Sequence, residues 1–176
     1  MAFGVYLHIP FCKSKCNYCD FYSLGQRSAV PEEYITALLR ELHRHENCDC
    51  ARLRPDTLYF GGGTPSLLTP AQAARLIDAV SPVFGAEITL EANPDTVTLE
   101  SLQGYRAAGV NRISFGVQSA RDEQLLRLGR AHTASTARAA FCRAYQAGFD
   151  NISGDVMLAL PHYTHAELQE TIQLLC

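Results

Sequence analysis

The sequence lacks the features that would place the chain in a membrane, on a nucleic acid or in a secretory compartment. No apolar run approaches the ~18 residues that a membrane-spanning helix needs. The net charge of -3 gives no support to binding of nucleic acid or of a membrane surface. The first residues carry neither the basic nor the long apolar segment of a signal peptide, and seven cysteines without such a signal fit a reducing compartment. We therefore expect a cytoplasmic protein with no membrane span and no nucleic-acid partner.

What the sequence does contain is a group of three cysteines directly after a short apolar run. Cys12, Cys16 and Cys19 have the spacing C-x3-C-x2-C. A disulfide would leave one of the three unpaired, and a zinc ion would need a fourth ligand, from His8 or from a distant cysteine. A [4Fe-4S] cluster bound by three cysteines keeps one iron atom without a protein ligand, where a small molecule can bind. The spacing favours this cluster over zinc and over unliganded or redox-active cysteines.

Strand and helix patterns alternate five times along the chain. Strands are predicted at residues 5–9, 57–60, 87–92, 112–117 and 151–158. Residues 108–114 resemble residues 147–153, as expected where one helix-to-strand corner is used twice in a βα repeat. The alternation predicts a parallel sheet with right-handed crossovers. Because a closed eight-unit barrel needs ~250 residues, the predicted fold class is α/β, a partial (β/α) TIM-like barrel of about five βα units.

Polar and glycine residues follow the predicted strands. In a βα barrel the chemistry lies in the loops after the carboxyl ends of the strands, and the cysteines follow the first strand. The glycine run at 61–63 follows the second, and Glu91, Gln118 and Asp155 lie at the ends of the next three. The glycine run lacks the Gly-Lys-Ser/Thr of a phosphate loop, so it indicates either a tight turn or close passage of the backbone beside a ligand. A carboxylate in an apolar strand needs a partner when buried, which a ligand or an internal salt bridge could supply.

Other candidate residues are weaker. Arg130 and His132 could each be a site residue or a structural one. Cys142, on a predicted helix, is expected in the core. A second set of possible metal ligands has the spacing H-x-H-x2-C-x-C, which matches no common zinc site, and charged residues interleave with it, so an exposed helix end is favoured. These residues are His43, His45, Cys48 and Cys50.

The motifs, taken in order, resemble those of the radical S-adenosylmethionine (SAM) superfamily. They are Tyr-Leu-His-Ile-Pro-Phe-Cys at 6–12 with the two further cysteines, Gly-Gly-Gly-Thr-Pro-Ser at 61–66, Glu-Ala-Asn-Pro at 91–94 and Phe-Gly-Val-Gln-Ser at 115–119. More narrowly, the chain resembles the oxygen-independent coproporphyrinogen III oxidase group over nearly its whole length. The resemblance implies that residues 1–176 are an incomplete radical SAM core domain. The last barrel unit and a C-terminal domain would then be absent, as expected of a sequence that stops within a predicted helix.

The resemblance also implies cofactors and the residues that hold them. The three cysteines would hold a [4Fe-4S] cluster, and its open iron would bind SAM. An electron-donor protein would supply one electron to the cluster. Transfer of that electron to SAM would cleave SAM to methionine and a 5′-deoxyadenosyl radical. By motif position, Tyr6, Gly62 and Glu91 resemble contacts to this SAM. In the oxidase branch a second SAM molecule is held at positions that are occupied here by Tyr18, Gly63, Thr64, Gln118, Arg130 and Asp155.

One position separates two branches of the group. The oxidase branch has a further cysteine two residues after the third cluster cysteine, where this sequence has Phe21. The Cys-Asp-Phe form resembles the HemW-type heme chaperones, which bind and deliver heme, so the resemblance implies a chaperone in heme trafficking, with heme as a ligand of the full-length protein. The alternatives are an enzyme that oxidatively decarboxylates coproporphyrinogen III and a zinc-stapled βα domain without redox chemistry. The family usually has glycine where this chain has Ala159, and a β-carbon there could narrow backbone approach near Asp155.

Overall fold

Five parallel strands form one sheet, in the order in which they occur along the chain. The computed structural model describes residues 3–45, 54–160 and 162–175. The strands are β1 (Gly4–Ile9), β2 (Thr57–Gly62), β3 (Glu87–Ala92), β4 (Arg112–Gln118) and β5 (Asn151–Val156). The helices are α1 (Glu32–His45), α2 (Pro70–Val80), α3 (Leu99–Ala108), α4 (Asp122–Arg127), α5 (Ala134–Gln146) and α6 (His165–Leu175). This architecture confirms the predicted partial βα barrel.

The two faces of the sheet have opposite character. Side chains alternate between the faces of a strand, and on β3 the apolar Leu90 and Ala92 are buried in the core that the sheet shares with α1, α2, α3 and α5. The intervening Thr89 and Glu91 lie on the other, inner face. The same alternation continues on β4, where Ile113 is buried and its neighbours are polar. One face therefore supplies the apolar core and the other a polar wall.

Two helix-to-strand corners have the same geometry. Gly109 after α3 and Gly148 after α5 have positive φ values of 109° and 89°, which a residue without a β-carbon adopts at little cost. The next residues, Val110 and Phe149, each donate a backbone hydrogen bond of 3.0 Å into the last turn of the preceding helix and are buried. The predicted repeat of this corner is confirmed.

The start of α2 also follows the predicted signal. The Thr69 side chain accepts a hydrogen bond from the Gln72 backbone N–H, and the Gln72 side chain accepts one from the Thr69 N–H, while Pro70 occupies the first turn. This capping box fixes the start of α2, which follows the glycine run after a short 3-10 turn at Pro65–Leu67.

Three local expectations need correction. β2 continues to Gly62, two residues beyond the predicted end, because its pairing with β1 continues as far as Ile9. β5 ends at Val156 rather than at residue 158, because its neighbour β4 ends at Gln118. The expectation that Cys142 lies in the core was wrong. Cys142 is exposed, because it lies on the opposite side of α5 from the buried residues. Those residues are Ala137, Ala140 and Ala144.

In the described part of the chain, no helix combines the length and the apolar character needed to cross a membrane.

Candidate functional site

A cavity of about 310 Å³ lies at the carboxyl ends of the five strands. Because parallel strands end at the same edge of a sheet, the loops that follow them meet there. The cavity is lined by the three cysteines and by every residue that the family motifs place at a cofactor, except Tyr6. These residues are Cys12, Cys16, Tyr18, Cys19, Gly62, Gly63, Thr64, Glu91, Gln118, Arg130 and Asp155. Residues that are far apart in the sequence therefore face one volume.

The loop that carries the cysteines is closed at its base by backbone hydrogen bonds. The Cys12 N–H donates to the Leu24 carbonyl at 2.9 Å, and the Leu24 N–H donates to the Pro10 carbonyl at 2.6 Å. We call residues 12–24 the cysteine loop. Its middle is fixed from outside, since Asn17 donates its backbone N–H to the Leu128 carbonyl and its side-chain amide to the Arg127 carbonyl, at 3.0 and 2.9 Å. Hydrogen bonds therefore close the base of the cysteine loop and also bind its middle to the end of α4.

Cys12 lies against the glycine run. Its thiol is buried and accepts a hydrogen bond from the Thr64 hydroxyl at 3.4 Å. A β-carbon on Gly63 would lie 3.0 Å from the Cys12 sulfur and 2.8 Å from the Phe11 carbonyl oxygen, closer than side chains normally approach. The structure therefore requires glycine at position 63 for close packing against this cysteine, rather than for a positive φ.

Arg130 connects the neighbouring strand ends with Cys16. Its Nη2 donates to the Asn93 side-chain oxygen at 2.7 Å and to the Gly116 carbonyl at 2.5 Å, and its Nη1 donates to the Cys16 sulfur at 3.5 Å. Its Nε is buried without a hydrogen-bond partner. Tyr18 lies beside the same pair, and burial, partly opposed by the positive charge of Arg130, raises the pKa of its phenol to about 12. Tyr18 is therefore neutral at physiological pH.

Glu91 is held by neutral donors rather than by a cation. The Tyr59 hydroxyl donates to its Oε1 at 2.7 Å, and the Gly62 backbone N–H donates to its Oε2 at 3.3 Å. Burial raises the pKa of the Glu91 carboxyl, and these two hydrogen bonds oppose the shift. An incoming ammonium or hydroxyl group would therefore find an acceptor that forms no ion pair with any residue in the described part of the chain.

The far wall of the cavity is formed by the ends of β4 and β5. Asp155 is exposed, and its Oδ1 accepts a hydrogen bond from the Ser114 hydroxyl at 3.3 Å. Gln118 has a φ of 69°, an uncommon value for a residue with a side chain, at the point where the register of β4 against β5 shifts. This irregularity turns the Gln118 position out of the regular strand and into the cavity lining.

Tyr6 and His132 lie outside the cavity lining. The Tyr6 ring stacks against Tyr59, with ring centroids 6.1 Å apart, and its hydroxyl lies 3.1 Å from His8 Nδ1. Tyr6 therefore does not line the cavity, but it packs against Tyr59, whose hydroxyl donates to Glu91. His132 is buried with its Nε2 3.1 Å from the Val117 carbonyl oxygen, and burial together with the nearby charge of Arg130 lowers its pKa. Its position is that of a structural loop histidine.

Sequence reasoning missed two residues that the structure brings to the site. Ser114 lines the cavity, and Tyr59 positions Glu91. Their signal was the alternation of polar and apolar residues along each strand, which predicts a polar inner face. Asn93, which belongs to the Glu-Ala-Asn-Pro motif, also lines the cavity. Of the second set of possible ligands, His43 contacts the Leu39 carbonyl oxygen at 2.5 Å, and Cys48, Cys50 and the side chain of His45 lie outside the described residues.

The donor set at the cavity fits an iron–sulfur cluster. The three cysteines are free thiols. Within residues 3–45, 54–160 and 162–175, no three His, Cys, Asp or Glu side chains converge on one point as a single metal ion would require. A [4Fe-4S] cluster binds each cysteine at a different iron atom, so its cysteines need not converge in this way. The unpartnered Nε of Arg130 beside Cys16 is a further sign that the cavity accommodates an acceptor.

Comparison with known proteins gives consistent matches. The family model described as the radical SAM superfamily matches residues 6–175. The heme chaperone HemW of Bacillus subtilis is 40% identical over 176 residues, which are 96% of this chain and 46% of the relative. The heme chaperone HemW of Escherichia coli is 40% identical over 180 residues, 97% of this chain and 47% of the relative.

A solved structure gives the same relationship. The coproporphyrinogen III oxidase HemN from Escherichia coli, described as a radical SAM enzyme, superposes with a TM-score of 0.86 at 29% identity, over 98% of this chain and 41% of its own. The chain thus spans about half the length of the curated relatives that it matches.

Proposed function

The chain belongs to the radical SAM superfamily, and on that premise we propose that its cavity binds a [4Fe-4S] cluster together with SAM. Cys12, Cys16 and Cys19 hold the cluster through three of its iron atoms. When bound, the cluster supplies one-electron reduction of the sulfonium of SAM. The proposal is carried by one observation, the shared cavity in which three free thiols face the glycine run and the polar ends of β3, β4 and β5.

Each wall of the cavity offers SAM a different kind of contact. Glu91, which has no ion pair among the described residues, accepts from the amino group or the ribose hydroxyls of SAM, and Gly62 and Gly63 bring backbone to the cavity lining. Gln118 and Asp155 provide an amide and a further carboxylate at the ends of β4 and β5. Binding at these groups orients the ligand, while the cofactors supply the chemistry.

We further propose that the protein to which this chain belongs is a heme chaperone. Two relatives at 40% identity carry that name, and the position that bears a further cysteine in the oxidase branch is Phe21 here. Phe21 lines the mouth of the cavity and is 67% exposed, so it offers an apolar surface and no thiol. Heme is an apolar, planar ligand that such a surface suits, and an electron-donor protein is the expected second partner.

The cluster proposal is tested by anaerobic reconstitution with iron and sulfide. We expect the broad visible absorbance of a cluster, bleached by dithionite, with equal amounts of bound iron and sulfide. Cys12→Ser, Cys16→Ser and Cys19→Ser should each abolish stable loading, whereas Cys142→Ser, at an exposed site on α5, should load like the unchanged chain. Stoichiometric zinc in place of iron, or full loading of all four variants, would contradict the proposal.

SAM binding is measured separately, by equilibrium dialysis on the reconstituted chain. We expect Glu91→Gln to weaken binding by about 10- to 150-fold, since a hydrogen bond to a charged group contributes about 1.5–3 kcal/mol. Exposed Glu123→Gln on α4 serves as the charge-matched control. Equal affinities of the two variants would remove Glu91 from the binding site.

Oxidation of coproporphyrinogen III is the second candidate function. It is favoured by the TM-score of 0.86 to the oxidase and by the cavity position of residues that match its second SAM site. Heme titration and an anaerobic decarboxylation assay with coproporphyrinogen III, both on the full-length protein to which this chain belongs, separate the two candidates. We expect heme binding without decarboxylation, and we expect that Phe21→Cys alone does not create the activity. Decarboxylation by the unchanged full-length protein would instead establish the oxidase.

A further inference from the structure

We propose that Thr64, Asn93 and Arg130 form a polar bridge that joins two of the three cluster cysteines, presets the distance between their sulfurs and raises the reduction potential of the cluster. The inference rests on the proposed function, because it concerns the cluster that Cys12 and Cys16 would hold. It assigns a role to Asn93, which touches neither sulfur.

The bridge is a continuous series of four hydrogen bonds. The Thr64 hydroxyl donates to the Cys12 sulfur at 3.4 Å and accepts from the Asn93 side-chain Nδ2 at 3.1 Å. The Asn93 Oδ1 accepts from Arg130 Nη2 at 2.7 Å, and Arg130 Nη1 donates to the Cys16 sulfur at 3.5 Å. Both ends of the series therefore terminate with a donor on a cysteine sulfur.

The donors and acceptors fit together in only one orientation. Arg130 has no acceptor, so the Asn93 oxygen must face it, and the amide nitrogen then faces Thr64. The Thr64 hydroxyl oxygen accepts a hydrogen bond from that amide, so its own O–H is available to donate to the Cys12 sulfur. A carboxylate in place of Asn93 would lose the donor, and an apolar residue would break the series in the middle.

The surroundings hold the bridge rigid. Thr64 is only 1% exposed, in the turn after β2. Arg130 is anchored a second time by the Gly116 carbonyl on β4, and a β-carbon on Gly116 would lie 3.0 Å from Arg130 Nη2. The bridge thus links the turn after β2 and the ends of β3 and β4 with the cysteine loop, so the two sulfurs are positioned by the sheet rather than by the loop alone.

Donation to the sulfurs affects the redox equilibrium. A cluster gains negative charge on reduction, so hydrogen bonds to its sulfurs and a nearby positive charge stabilise the reduced form and raise the potential. The bridge contributes both, with hydrogen bonds at two cysteines and the guanidinium charge at one. A higher potential makes the cluster easier for an electron donor to reduce.

The test is the midpoint potential of the reconstituted cluster, measured without SAM so that ligand contacts do not contribute. We expect Thr64→Val, Asn93→Leu and Arg130→Gln all to lower the potential, with the largest drop for Arg130→Gln because it also loses the charge. Thr36→Val and Arg138→Gln, at sites away from the cavity, are the matched controls and should keep the potential of the unchanged chain.

Asn93→Leu is the decisive variant, because only transmission through the bridge connects Asn93 to the sulfurs. An unchanged potential in Asn93→Leu, whether or not Arg130→Gln lowers it, would overturn the inference while leaving the cluster proposal intact. Failure of the unchanged chain to load a cluster would overturn the proposed function itself. If Asn93→Leu does not fold by circular dichroism, Thr64→Val decides in its place, since valine keeps the shape of threonine and removes only the hydroxyl.

Discussion

Adding one methyl group at Gly63, which packs against the cysteine loop, should disturb that loop more than the same change at Gly25, which directly follows it. In Gly63→Ala the new β-carbon would lie 2.8 Å from the Phe11 carbonyl oxygen, 2.9 Å from the Phe11 nitrogen and 3.0 Å from the Cys12 sulfur. Carbon contacts are most favourable at about 3.5–4.0 Å, so the neighbours must move by roughly half an ångström or more.

The size of the effect follows from what must move. Overpacking typically costs about 1–3 kcal/mol. Here two of the three contacts are backbone atoms, and the adjoining Cys12 N–H is fixed by its hydrogen bond to Leu24. The cost should therefore be in the upper part of that range, about 2–3 kcal/mol. For a chain of this size that corresponds to a fall of roughly 4–12 °C in the melting temperature. Displacement of the Cys12 sulfur should also reduce cluster loading.

Urea unfolding of the metal-free chain and the iron content after reconstitution measure the two effects. Gly25→Ala is the matched control in the same region, because its β-carbon would find no atom closer than 3.6 Å. We expect Gly25→Ala to be nearly neutral in both measurements. If the two alanine variants unfolded at the same urea concentration and bound equal iron, close packing of Gly63 against Cys12 would not be the reason for glycine there.

Three further predictions concern stability. Ala159 has a φ of 55°, so Ala159→Gly should stabilise the chain by about 1 kcal/mol through release of backbone strain, seen as a higher melting temperature; no gain would argue against that strain. The buried Tyr105 hydroxyl donates to the carbonyls of Ser66 and Leu68, so Tyr105→Phe should cost about 1–2 kcal/mol in urea unfolding, and a neutral result would exclude a net contribution from these bonds. Burial raises the pKa of Glu91 above its ordinary value of 4.5, so stability associated with the protonated carboxyl is present at low pH and is lost as pH rises through the raised pKa. Urea titrations across this interval should show a smaller loss for Glu91→Gln, and an equal loss would assign the pH dependence to other groups.

Local signals were sufficient to predict most of the elements. The bounds of β3 match the expectation of 87–92, and Gly109 and Gly148 end their helices as expected, because these features depend on neighbouring residues alone. The end of β2 was not predictable in the same way. Two consecutive glycines are typical of a turn. Gly61 and Gly62 nevertheless belong to β2, because they pair with β1, which is distant in the sequence.

The candidate site was predictable as a set of positions but not as a network. The position of polar residues after each strand indicated which side chains share an edge of the sheet. The contacts among them depend on strand register and on side-chain direction, which place Asn93 between Thr64 and Arg130, 29 and 37 positions away. For Tyr6, the motif position indicates a contact to SAM, whereas its ring stacks against Tyr59 and does not line the cavity.

The agreement between strand order and chain order has a consequence for synthesis on the ribosome. Each new strand can pair with one that has already emerged, so the sheet can grow from its N-terminal edge without waiting for a distant segment. The cysteine loop emerges before Arg130 and Asp155. The thiols therefore remain open to solvent, and to any delivery of iron, until the far wall of the cavity has been translated.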